Sequence, residues 1–114
     1  GTVVGFTSID NVNVAGLDVI GQVFGEATIE PGAIWVESPF NGILGLAYPV
    51  IALVSKPPVF DNMISQKLVA KGEFSSFMSN KEGDESSAIV FGGTDSRYCA
   101  DASCPFKYIP FNAA

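Results

Sequence analysis

Phe40 to Tyr48 reads F-N-G-I-L-G-L-A-Y, almost without charge, and no other stretch constrains the fold of this chain so tightly. A short apolar run of this kind predicts a strand buried on both faces, with Gly42, Gly45 and Ala47 letting neighbouring backbone come close. Such a strand exists only inside a packed core, and 114 residues suffice to bury one small domain. Hydrophobic residues make up 47% of the chain and charged residues 16%, which excludes a disordered tail or a coiled coil. No apolar run reaches the ~20 residues of a membrane-spanning helix. Nothing at the start reads as a signal peptide, and Gly1 rather than Met opens the chain, so a processed chain or a fragment is the simplest expectation.

The formal charge of −6 repels phosphate backbones and argues against nucleic acid as a partner. An acidic chain with few charges suits a secreted or lysosomal protein, because acid conditions protonate carboxylates and relieve their repulsion. With no histidine in the chain, a zinc site would need carboxylates or a second chain, and no metal is expected. Cys99 and Cys104 are the only cysteines. They enclose four residues and are expected to form a local disulfide in an oxidising compartment, pinning a hairpin tip with about 2 kcal/mol of loop-closure entropy.

Along the chain, Val3–Val14 and Leu17–Ala27 read as two strands around an Ala15-Gly16 turn. Glu30-Pro31-Gly32 is a turn signal, and Ala33–Val36 is short and apolar, with Trp35 close to the turn at Ser38-Pro39. Pro57-Pro58 opens a helix that carries Phe60, Met63, Ile64, Lys67 and Leu68 at helical spacing. Asp61 favours its N-terminal end and Gly72 stops it, giving about three turns. Phe74–Met78 looks like a strand, Asn80–Ser86 like a polar loop, and Ala88–Phe91 and Phe106–Ile109 like a pair of strands. Tyr98, Phe106 and Tyr108 read as hairpin packing. The sum is an all-β chain with one or two short helices, a single domain over residues 1–114.

Several of these segments resemble the pepsin-like aspartic proteases, the pepsin and cathepsin D family. Phe40–Pro49 is similar to the family's F-D-G-I-L-G-L-A/G-Y/F-P signature. Ile9-Asp10-x-Val12, Gln22-x-Phe24-Gly25, Glu30-Pro31-Gly32 and Pro58-Val59-Phe60-Asp61-Asn62 resemble the family's strand after the flap, its next strand, its E-P-G turn and the start of its P-V-F-D-N helix, in the family's order. Phe74-Ser75-x-Phe77 and Phe91-Gly92-Gly93-x-Asp95 resemble its F-S-x-Y and F-G-G-x-D strands. Gly1 and Gly5 match the last two glycines of the flap, Y-G-S/T-G-x-x-x-G. The resemblance implies part of one lobe of the bilobal acid protease fold, the later N-terminal lobe, beginning within the flap hairpin.

The resemblance also implies chemistry that these residues lack. In the family, two aspartates in D-T/S-G loops face each other, share a proton and activate water, with no metal or organic cofactor. None of the six aspartates here is followed by Thr-Gly or Ser-Gly, and Asp95 reads as a turn residue. What the resemblance leaves to this chain is substrate grip. Gly1 and Thr2 would lie on the returning side of the flap, and Ile34, Phe40 and Ile43 match the apolar pocket beside the scissile bond. The alternative is that these are plain core side chains, Ile43 inside the apolar run more readily than Ile34 and Phe40 near turns, and Trp35 either touches substrate or is structural.

Two departures stand out: Asn41 replaces the family's usual Asp, and the Cys99–Cys104 loop replaces a short Y-Y-T-G turn. The resemblance implies an endopeptidase segment that cuts between hydrophobic residues, needs the D-T-G-bearing remainder of the protease as its partner and self-associates when isolated. The alternatives are a catalytically inactive homologue that binds peptides or another ligand, and a free-standing β domain.

Overall fold

The computed structural model describes residues 2–83, 86–101 and 103–111 and divides the chain into two compact units, Gly1–Leu68 and Val69–Ala114. The first is built on a long antiparallel hairpin, β1 (Val4–Val14) with β2 (Leu17–Ile29). Its two-residue turn holds Ala15 at φ 52° and Gly16 at φ 81°. Positive φ at both positions matches the twist of the flanking strands, and Gly16 accepts it without the Cβ penalty that Ala15 bears.

A bulge then sets which side chains the hairpin buries. Asp10 pairs with Gln22 and Val12 with Val19, so β2 places two residues, Ile20 and Gly21, where β1 places one, Asn11. Gly21 absorbs the extra residue at φ 66°, and its N–H donates to the Asn11 side chain at 3.1 Å. Strict alternation would send Val19 and Gln22 to opposite faces; the inserted residue shifts the phase, and both are buried.

Helix α1 (Ala33–Glu37) follows the Glu30-Pro31-Gly32 turn, with Gly32 at φ 116°. The Ser38 N–H closes its end on the Ile34 carbonyl at 3.1 Å. Pro58 stands before α2 (Val59–Ser65), whose buried residue is Met63. The helix stops well short of Gly72. Lys67 adopts φ 58°, its N–H bonds Ile64 O at 3.0 Å, and the Leu68 N–H bonds Met63 O at 2.9 Å. That bond pair is a Schellman ending, built with lysine where glycine is usual, so α2 has two turns rather than three.

The doubly buried strand expected at Phe40–Tyr48 does not form. These residues carry no strand, and all but Leu46 are exposed. β1 and β2 pair with each other, and among the described residues no strand flanks the apolar run. A segment without partners on either side cannot become an interior strand.

In the second unit, β3 (Phe74–Phe77) and β4 (Ala88–Phe91) pair antiparallel, with Phe74 opposite Phe91 and Phe77 opposite Ala88. β4 therefore pairs backwards along the chain. Phe106–Ile109 carries no strand, and Phe106 meets Tyr108 with ring centroids 6.3 Å apart. β3 takes one edge of β4, and among the described residues no strand takes the other. The Gly92 N–H continues the ladder to Glu73 O at 2.7 Å.

Beyond β4, Asp95 caps a single 3-10 turn, Ser96–Tyr98, by accepting from the Arg97 N–H at 2.9 Å. Tyr98 stacks on Phe77 with centroids 5.0 Å apart. Cys99 and Cys104 are disulfide-bonded, with Cα atoms 5.1 Å apart, as their spacing predicts. The all-β reading with short helices describes the chain.

Candidate functional site

The site begins where α1 ends. Ile34 lies on that single-turn helix and is 66% exposed; Phe40, just past the Ser38-Pro39 turn, is 45% exposed; Ile43 is 75% exposed. None of the three is a core residue of this chain. Trp35 projects from the same short helix and meets Phe40 edge to face, with ring centroids 6.2 Å apart and planes at 79°.

Ile43 also lines an open apolar groove of about 710 Å³, together with Phe6, Thr7, Phe24, Leu53 and Val54. A second groove of about 510 Å³ shares Ile43 and Phe24 and adds Val12, Gln22, Tyr48 and Val59. Ile34 and Phe40 line neither groove, so the three candidate contacts divide into an α1 pair and a groove residue. Thr2 is exposed and precedes β1, and Gly1 lies outside the described residues.

One element of this region was not read from the sequence. Gln22 is fully buried and its amide is satisfied at both ends. Its Nε2 donates to Pro57 O at 3.0 Å and to Val23 O at 2.9 Å, while its Oε1 accepts from Asn62 Nδ2 at 2.8 Å. Gln66 at the end of α2 pairs with both backbone groups of Ile20, accepting from its N–H and donating to its carbonyl, each at 2.9 Å. These two amides tie α2 to the bulged stretch of β2. A glutamine in the apolar phase of a strand was the available signal.

The charged groups with displaced titration lie in the second unit. Hydrogen bonds from the Arg97 side chain and N–H hold the Asp95 carboxyl below its ordinary range, and Asp95 in return raises the Arg97 guanidinium. The Ser103 hydroxyl and N–H lower Asp101 in the same way. Both carboxylates accept hydrogen bonds within local turns. Among the described residues, no group of three or more His, Cys, Asp or Glu is placed to hold a metal ion. No helix among them is long and apolar enough to cross a membrane.

The model of one protein family, described as eukaryotic aspartyl protease, matches residues 1–107. The chain belongs to that family. Among its aspartyl protease relatives are cathepsin E of Cavia porcellus, 48% identical over 83% of this chain, and pepsin A of Suncus murinus, 46% identical over 86%. Cathepsin D of Rattus norvegicus is 42% identical over 86% of the chain. These alignments take up 24%, 25% and 26% of the relatives, so this aspartyl protease chain spans about a quarter of their length.

Proposed function

We propose that this aspartyl protease segment is the substrate-gripping part of an endopeptidase that cleaves peptide bonds between hydrophobic residues. The observation that carries the reading is the family match over residues 1–107 in a chain whose six aspartates include none followed by Thr-Gly or Ser-Gly. Both catalytic aspartates then belong to sequence outside these 114 residues. Two carboxylates held close together cannot both ionise easily, so one keeps a proton while the other activates water. The water attacks the peptide carbonyl, and a single carboxylate cannot fill both roles.

The part left to this segment is binding energy. Ile34, Phe40 and Ile43 have apolar area free to cover a bound peptide, and each large side chain buried there contributes about 1.5–3 kcal/mol. Gly1 and Thr2 close over the peptide from the flap. The working partner is the remainder of the protease, which brings the carboxylates. The exposed apolar run from Phe40 to Val54 supports self-association of the segment when that partner is absent. The Cys99–Cys104 disulfide and the acidic charge support a secreted or lysosomal setting.

Asn41, in place of the family's usual Asp, favours a second reading, a catalytically inactive relative that keeps the cleft for ligand binding. Native mass spectrometry with peptide sequencing of the natural protein separates the two. Companion sequence bearing D-T-G segments, with cleavage of hydrophobic peptides at acid pH, is the expected result. A species made only of this 12.0 kDa chain, or of multiples of it, would refute the endopeptidase reading.

A further inference from the structure

Trp35 is the only tryptophan of the chain, and its Nε1 is buried without a hydrogen-bond partner among the described residues. The indole nitrogen is a donor only, and native proteins rarely leave such a donor both dry and unpaired. The ring leans edge-on against Phe40, 6.2 Å between centroids. Consecutive Cα atoms of a bound peptide are about 3.8 Å apart, so a residue covering Phe40 carries backbone carbonyls close beside the Phe40–Trp35 pair.

We propose that Trp35 is a substrate-binding residue that holds a backbone carbonyl of the bound peptide through its Nε1–H. The inference rests on the reading of Phe40 as a substrate contact. An extended peptide offers what this pair of residues lacks: an apolar side chain for Phe40 and, one bond away, an acceptor for the indole. A plain hydrocarbon ligand satisfies Phe40 and leaves the donor orphaned. The acceptor enters through a small re-posing of α1. That helix has five residues, Ala33, Ile34, Val36 and Glu37 are exposed, and so short a helix has little stability of its own. Binding therefore converts an unpaired donor into a paired one, a gain available only to ligands with a carbonyl at that position.

The test uses the complete protease that carries this segment and a hydrophobic peptide substrate. Trp35→Phe keeps an aromatic ring and removes the N–H, and kcat/KM is expected to fall about 5–10-fold, the value of one hydrogen bond. On peptides with single carbonyls replaced by methylene, the wild-type enzyme should lose that factor at one position near the Phe40-bound residue. Trp35→Phe should lose nothing further there. In addition, the Trp35 indole N–H resonance should move downfield when a non-hydrolysable peptide binds. Equal kcat/KM for wild type and Trp35→Phe, or an unmoved indole resonance at saturating peptide, overturns the proposal while leaving the endopeptidase reading intact. Failure of the wild-type protein to bind or cleave hydrophobic peptides at all overturns both.

Discussion

Replacing Gln22 by methionine keeps the length of the side chain and removes all of its hydrogen bonding. Three bonds disappear: those from Nε2 to Pro57 O and Val23 O, and that from Asn62 Nδ2 to Oε1. At a net ~0.5–1.5 kcal/mol each they sum to roughly 1.5–4.5 kcal/mol. Methionine regains a little by burying a more apolar side chain, which brings the expected loss to about 2–3 kcal/mol. For a unit of this size that lowers the melting temperature by roughly 10–20 °C.

Urea denaturation followed by circular dichroism should show the midpoint falling with an unchanged slope. The pair Gln22→Met and Asn62→Leu closes the argument. Removing both partners leaves no orphaned amide between them, so the double variant should be more stable than the sum of the single losses by at least ~1 kcal/mol. A single-variant loss below about 0.5 kcal/mol, or strict additivity in the cycle, would refute the claim that these amides act as one network.

Lys67→Gly should stabilise the first unit by about 0.5–1 kcal/mol, because the left-handed conformation costs lysine ~1–2 kcal/mol and glycine's extra unfolded-state entropy returns part of it. Thermal unfolding measures this, and a destabilised variant would contradict the Schellman ending. Cys99→Ser with Cys104→Ser should cost about 2 kcal/mol through loop entropy and loosen the stacking of Tyr98 on Phe77, visible as faster hydrogen exchange around the 3-10 turn. Asp95 should titrate below its ordinary value of 3.8, its stabilising effect being complete above the ordinary carboxylate range and lost as pH falls through the lowered value. A carboxyl NMR titration with a midpoint at or above 3.8 would contradict the Arg97 pairing.

Local signals were the legible ones. The Ala15-Gly16 turn, the strands on either side of it, the proline start of α2 and the cysteine pair all follow from residues acting on near neighbours. Non-local competition decided the rest. The apolar letters of Phe40–Tyr48 specify a strand only where other strands flank it, and among the described residues none does. Ala88–Phe91 has two edges, and among the described residues only Phe74–Phe77 pairs with it. Gly72 would end a helix well, but Lys67 turned left-handed first, a conformation its letter does not advertise. The candidate contacts were read as positions in a family pattern. Their division into the α1 pair and a groove residue required the backbone path, and so did the phase shift at Gly21 that buries Gln22.

A side-chain amide is chemically a peptide group, and Gln66 offers Ile20 the donor and acceptor that one residue of a third strand would offer. The outer rim of β2 is thereby plugged near its start by a single false rung. Another chain trying to zip onto that rim must first evict Gln66, and with it the tail of α2. Extended β association, the kind that seeds fibrils, is interrupted there, and only the stretch beyond the bulge toward Ile29 is left for a visiting strand.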